Sequence, residues 1–492
     1  APVRPDGTAT LIDLMEGVED IPGSALVDGM PWGSWESFAD YLDVLAGRRY
    51  AVDIAAQLAH GALRYYVMGD RGVANEDATA DDIAEMARLT REAFAAGAVG
   101  FSTSRTIGHR SKSGTPVPGT FAAVDELVGI AEAMGSVGHG VFEAIVASTI
   151  GRLDGLGGER ASMSEEFELL RAVQAASGRP VTFTVAQLFE DPDGWRRMLD
   201  TSAAANAAVG SLAFRPQIIP RSVTVMTSLD TYHMFMLRPT YQKLAHLGLA
   251  ERAAEMHKPE VKAAILTETD DPAGGLARGL AMLFTNALPV TFPLTEPVNY
   301  EPSLDRSVLA QAMARGLDVA ELMYDLLTAN GGNDFYMVLG SNFVGGNLDV
   351  CKDMLLDPNT VTGLSDAGAH VNLISDCSST TFHLTHWARD RVDGLPVETV
   401  VAKMTANNAD LYGFNDRGRL VEGLRADINV VDLDRLTIHA PFVRYDLPSG
   451  ASRILQPSTG YVATLVNGVA VRRNDADTGE RPGRLARGGP TA

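Results

Sequence analysis

The segment Gly363-Leu364-Ser365-Asp366-Ala367-Gly368-Ala369-His370 holds the residue best placed to do chemistry. The run before it, Val361 to Ser365, reads as a short strand, so the Asp366 carboxylate falls at a strand's C-terminal end. In a barrel of parallel strands, that end is the catalytic face. A carboxylate there can ligate a metal ion and shuttle a proton from bound water to a leaving amine. An aspartate after a strand can equally cap a following helix, and the dipeptide alone does not separate the two roles. His370, four residues on, is within reach to orient Asp366.

Other polar groups follow candidate strands in the same way. His60 comes after the run Ala51–Leu58, and Arg105 and His109 come after Ala98–Thr103. Strand-end loops of this kind carry substrate-binding groups, so His60, Arg105, His109 and His370 are expected to line the pocket. Arg105, His109, Arg110 and Lys112 crowd one short loop, where Arg105 could pair bidentately with a substrate carboxylate. A solvated basic loop is the plainer alternative. His383 and His386 stand three apart on one predicted helix, a spacing shared by metal pairs and by packing residues.

The elements that must position these groups alternate between short β-rich runs and amphipathic stretches. Strands are expected near residues 51, 98, 140, 181 and 212, with a sixth at 361–365. Helices are expected at 79–96, capped by Thr79, at 122–134 and at 164–177. Strand, helix, strand at this spacing means parallel strands joined by crossovers. No Gly-x-Gly-x-x-Gly turn follows an early strand, which disfavours a dinucleotide-binding sheet. A (β/α)8 barrel needs eight strands, and the two not seen are expected to precede Ala1.

Residues 220–355 interrupt the alternation with helical stretches at 307–315 and 319–328, as an elaboration of the barrel. The domain boundaries expected are therefore 1–420 for the barrel and 421–492 for a small β domain. Within the latter, Ala426–Leu433 and Tyr461–Arg472 read as strands.

Composition narrows the functions. A net charge of −21 argues against nonspecific binding to nucleic acid or to an anionic membrane. The longest charge-free stretch, between Arg278 and Glu296, is broken by Pro289 and Pro293, so no membrane span is expected. Two cysteines, Cys351 and Cys377, are too few for a disulfide framework and fit a reducing cytoplasm. The partner expected is a small, anionic molecule, with a homo-oligomer possible in principle.

Three stretches resemble the amidohydrolase superfamily, in particular its N-acyl-D-amino-acid deacylase (D-aminoacylase)-like group. They are Gly340–Arg389, with Asp366 and then His386-Trp387; Arg417-Gly418-Arg419-Leu420-Val421-Glu422-Gly423-Leu424-Arg425-Ala426-Asp427; and Val466-Asn467-Gly468 with Thr478–Arg484. The resemblance implies a (β/α)8 barrel, one or two zinc or similar divalent ions, and hydrolysis of a non-peptide amide C–N bond. It gives Asp366 the part of metal-site carboxylate and of general base, then acid. The family's His-x-His or His-x-Asp pair is absent here and belongs to the segment expected ahead of Ala1. Its fifth- and sixth-strand histidines are also unmatched. The nearest polar residues are Glu143, the candidate second metal ligand, and Gln187. Deamination, carbamate cleavage and cyclic-amide opening remain open as reactions, as does a barrel that binds without catalysis.

Overall fold

The computed structural model describes residues 1–151, 153, 156–271 and 275–489. Five strands pair in parallel in chain order: β1 (Gln57–Ala59), β2 (Gly100–Ser104), β3 (Val141–Ile145), β4 (Val181–Thr184) and β5 (Phe214–Ile218). β2 to β5 lie within a few residues of their expected places, whereas β1 begins later than expected. Crossover helices join them, including Ala80–Ala95, Val124–Val137, Met163–Ser177 and Gly194–Val209. Two of these start at capping boxes, Thr79 with Asp82 and Ser162 with Glu165, which satisfy otherwise unpaired first-turn N–H groups.

The sheet's outward residues explain why the helices stay. Leu58, Phe101, Phe142, Ala144, Val181, Phe183 and Phe214 are buried in one core with Phe94, Leu127, Ile130, Phe167 and Leu170 from the helices. Burying each large side chain contributes roughly 1.5–3 kcal/mol. Alternation then sends the intervening residues, many of them polar, to the opposite, concave face.

After β5 the chain leaves the sheet and builds a second unit. The strands β6 (Thr224–Thr227), β7 (Thr291–Pro293) and β8 (Tyr336–Leu339) pair antiparallel in the order β6-β8-β7. Helices at Val308–Arg315 and Val319–Thr328 match expectation, and Ser307 and Asp318 cap them. The unit has its own core, with Met234, Phe235, Met256, Leu322, Tyr324 and Leu327. β9 (Val361–Thr362) then returns to the parallel sheet beside β5. The architecture is a (β/α)8-like barrel sheet with a separate C-terminal β-rich region.

His233 lies within that second core, fully buried, with its Nδ1 accepting from the Phe235 N–H at 3.2 Å. Burial, aided by nearby Arg252, pushes its pKa from 6.5 down to about 3. Between those values the unfolded chain binds the proton and the folded chain does not, so stability is complete above 6.5 and falls as pH drops. From pH 7 to 5 the loss from this one group is about 2 kcal/mol. His233→Asn retains an acceptor for Phe235, and denaturant titrations at both pH values should show a shallower acid loss. An unchanged pH dependence would remove His233 from that account.

Two local expectations need correction. The segment expected as a strand over 51–58 joins the sheet only at its end. Tyr50 and Ile54 instead form bridges with Gly483 and Leu485 near the C-terminus. Tyr461–Arg472 is not one strand but an antiparallel hairpin of Tyr461–Val466 and Val469–Arg473. Asn467 and Gly468 form its turn with φ of 51° and 78°, the left-handed conformation that Asn-Gly favours. No helix among the described residues is long and apolar enough to cross a membrane.

Candidate active site

The concave face of the sheet carries Gln57, Ser102, Ser104, Glu143, Thr182, Thr184, Arg215 and Gln217, as their register places them on alternate positions. Glu143 collects three donors. Gln57 Nε2 and Tyr412 Oη donate to its Oε2, the latter at 3.1 Å, and Gln217 Nε2 donates to Oε1 at 3.3 Å. Gln57 on β1 and Gln217 on β5 each lie two strands from β3, on opposite sides. Two such side chains meet on one carboxylate because the sheet curls towards closure. Burial and the neighbouring Glu143 raise the Tyr412 pKa, so Tyr412 stays a donor. Glu143, expected as a metal ligand, is here a hydrogen-bonded carboxylate that ties the sheet together.

At the carboxyl end of the sheet, the turn after β9 has an unusual backbone. Leu364, Asp366 and His370 have φ of 60°, 44° and 48°, and Gly368 has 89°. Non-glycine residues at such angles cost of order 1–3 kcal/mol each and gather at functional sites. The turn leaves β9 through Gly363, where a Cβ would lie 2.7 Å from Gln217 Cδ. Any larger residue there would have to displace the Gln217 side chain. Asp366 is exposed at the top of this turn.

Around it stand residues from distant parts of the chain. The His370 N–H donates to the Glu19 carbonyl, at the end of the helix Thr8–Glu19. Burial raises the Glu19 carboxyl pKa, opposed by His370 and reinforced by the charge of Asp366. Asp20, also raised mainly by burial, accepts from Tyr232 Oη at 2.5 Å and from the Asn372 N–H at 3.0 Å. His109 faces the same cluster. Its Nδ1 is 2.7 Å from Ser104 Oγ, and burial plus the charge of His370 lowers its pKa to about 4. The imidazole is therefore neutral near pH 7. The arrangement offers an exposed carboxylate, two acids beside it whose pKa values burial raises, and a neutral histidine paired with a hydroxyl.

The charge of His370 reaches His109, and those of His370 and Asp366 reach Glu19, whereas the other expected residues are engaged by partners of their own. Arg105 does not present a free fork. Its Nε is 2.7 and 2.9 Å from the two Glu166 oxygens, and Nη1 donates to the Ala122 carbonyl at 2.9 Å. Arg110 and Lys112 are likewise held, by backbone carbonyls and by Glu16. His60 is a correction too: it is 1% exposed, between Thr103 Oγ1 at 2.9 Å and Glu126 Oε1 at 2.8 Å. His383 and His386 have separate partners, the Ser379 carbonyl and Glu301, and do not form a pair.

Ser104, Glu19 and Asp20 were missed by sequence reasoning. Ser104 ends β2 and carried a strand-end signal, but Glu19 and Asp20 follow a helix and carried none. A divalent ion needs about three or more converging donors. Among the described residues no group of three His, Cys, Asp or Glu side chains could hold one. The expected pair, Asp366 and Glu143, therefore does not fit a metal ion. A separate hollow of about 880 Å³ lies near the N-terminus, lined by Arg4, Trp32, Trp35, Glu36 and Asp40. None of the residues gathered around Asp366 lines it.

Comparisons with known proteins bear on the family and the fold. The model of the amidohydrolase family matches residues 5–472. A D-aminoacylase of Alcaligenes xylosoxydans xylosoxydans is 25% identical over 459 residues, covering 92% of this chain and 73% of that protein. An N-acyl-D-glutamate deacylase of the same organism is 42% identical over 93 residues, covering 19% of this chain and 17% of that protein. Among solved structures, a D-aminoacylase superposes with a TM-score of 0.54 at 20% identity, over 92% of this chain and 75% of the other. An N-acyl-D-glutamate deacylase from Bordetella bronchiseptica, complexed with zinc and a phosphonate inhibitor, gives 0.52 at 20% identity, over 94% and 78%. These two superpositions show the fold.

Proposed function

The chain belongs to the amidohydrolase family, and from that membership together with the Asp366 cluster we propose that it deacylates N-acyl-D-amino acids. Membership supports C–N bond hydrolysis as the general chemistry. The finer reading draws on the relatives' substrates, N-acyl-D-amino acids, and on one observation. That observation is Asp366, exposed on a strained turn at the carboxyl end of the parallel sheet.

In this reading the Asp366 carboxylate takes a proton from water as the water oxygen bonds to the acyl carbon. The C–N bond then breaks, and Asp366 returns the proton to the leaving nitrogen, so a carboxylic acid and an amino acid result. His109, neutral near pH 7, holds the Ser104 hydroxyl in a fixed direction beside the reacting amide. Glu19 remains protonated to a higher pH than an ordinary glutamate, which limits repulsion of an anionic substrate.

The test is amine release from N-acetyl-D- and N-acetyl-L-amino acids with acidic, apolar and polar side chains, with and without added Zn²⁺. The expected result is release from D-substrates with kcat/KM at least ~tenfold above their L-counterparts, a margin that pocket contacts can supply. Equal turnover of both enantiomers would remove the stereochemical part. Turnover of cyclic amides with none of N-acyl amino acids would replace the reaction.

A further inference from the structure

The segment from His370 to Ile374, at the end of the Asp366 turn, is gripped from three separate parts of the molecule. The Val371 carbonyl accepts from the Ile454 N–H at 2.7 Å, and the Asn372 side chain accepts from Ser452 Oγ at 3.0 Å, both from the C-terminal region. The Leu373 carbonyl accepts from the Met226 N–H of β6 at 2.7 Å, and Ile374 bridges Val225 of the same strand. From the N-terminal helix, Asp20 accepts the Asn372 N–H and Glu19 accepts the His370 N–H. This short segment fixes the C-terminal side of the turn that displays Asp366.

Asp20 is where these holds meet. It ends the helix Thr8–Glu19 with φ of 51°, and its two carboxylate oxygens have different partners. One takes the Tyr232 hydroxyl from the unit inserted between β5 and β9, and the other takes the Asn372 N–H. A largely buried side chain whose two oxygens are both hydrogen-bonded, one of them at 2.5 Å, is held in a fixed direction. We infer that Asp20 is a positioning residue for Asp366, coupling the inserted unit, through Tyr232, to the geometry of the turn. The insertion thus has a part in the site through the Tyr232 hydroxyl.

This inference rests on the reading of Asp366 as the residue of proton transfer, and its test has an arm that does not. Tyr232→Phe removes only the hydroxyl, and Asp20→Asn keeps the shape while leaving a single acceptor oxygen. Both are compared with the unchanged full chain, and with the double variant. Misplacement of a reacting group by a fraction of an ångström to 1 Å costs rate rather than binding. Each single variant should therefore lower kcat about tenfold or more with KM within about twofold, and the double variant should be no worse than the poorer single. Amide hydrogen exchange at residues 371–374 should accelerate about tenfold or more in both singles.

Unchanged exchange in both variants would overturn the coupling. So would a rise in KM at constant kcat, or losses that simply add. If N-acyl amino acids are not substrates, hydrogen exchange alone decides: acceleration at 371–374 supports the coupling through Asp20, and its absence refutes it.

Discussion

Asp366→Asn is expected to lower kcat by about 10²-fold or more while leaving the fold unchanged, because it removes the one exposed carboxylate of the cluster. The amide retains size and hydrogen bonding but neither accepts a proton from water nor returns one to nitrogen. The side chain is exposed and the turn is set by its backbone, so the far-ultraviolet circular dichroism should match wild type. Removing the charge also relieves its repulsion of Glu19 and Asp376. Any change in stability should then be small and favourable. Asp432 and Asp434, in the loop after the strand Ile428–Val431, are the controls and should tolerate the same change. A variant with near wild-type turnover would end the proposed mechanism.

The largest stability effect is expected at Arg221. It is fully buried, with Nη2 at 2.9 Å from Asp376 Oδ1 and its guanidinium 3.7 Å from the Tyr300 ring centroid. Asp376 is equally buried, and burial pushes its pKa up to about 6 even with Arg221 beside it. Arg221→Met keeps the volume but leaves Asp376 with only the Thr224 N–H. Breaking such a pair costs about 3–5 kcal/mol, since the remaining charge is uncompensated.

The sign of the pH dependence follows. A raised carboxyl pKa means the folded state holds its proton above the unfolded value of 3.8, so ionisation of Asp376 opposes folding as pH rises through about 6. Losing Arg221 sharpens this opposition. Denaturant titrations should show a larger loss at pH 8 than at pH 5, and Asp376→Asn in the same background should recover part of it. A loss under about 1 kcal/mol at both pH values would show that the pair carries little stability.

The strands of the barrel sheet were legible because alternation writes the buried face into the sequence. Phe101, Phe142, Phe183 and Phe214 mark four consecutive strands. The strand over 51–58 was misplaced for a local reason: Val52 is exposed and Ile54 pairs with Leu485, a partner that no local pattern reveals. The insertion's strands were unread for a related reason. β6, β7 and β8 pair antiparallel across long stretches of intervening helix.

Asp366 could be singled out because the strand-end rule is local, whereas Asp20 is tied to its neighbourhood through Tyr232 and Asn372, both distant in sequence. Arg105 and His60 obeyed the same rule yet proved to be internal ties. Each is held by a buried carboxylate on a crossover helix, Glu166 or Glu126. The stretches that carry the family resemblance near the C-terminus are likewise structural. Arg417 and Arg425 both bind Asp53, at 2.8 and 2.9 Å, and Asp53 also accepts the Arg484 N–H at 2.8 Å. They close the C-terminal region onto the start of the barrel.

The most direct test of the central claim is where a reaction mimic lands. A phosphonate analogue of an N-acyl-D-amino acid, with tetrahedral phosphorus in place of the scissile carbonyl, is added at saturation and protection from hydrogen exchange is mapped. Protection should concentrate at residues 104–109 and 363–374, the segments that carry His109 and Asp366. Protection confined to the hollow lined by Trp32 and Trp35, with none at the Asp366 turn, would contradict the account.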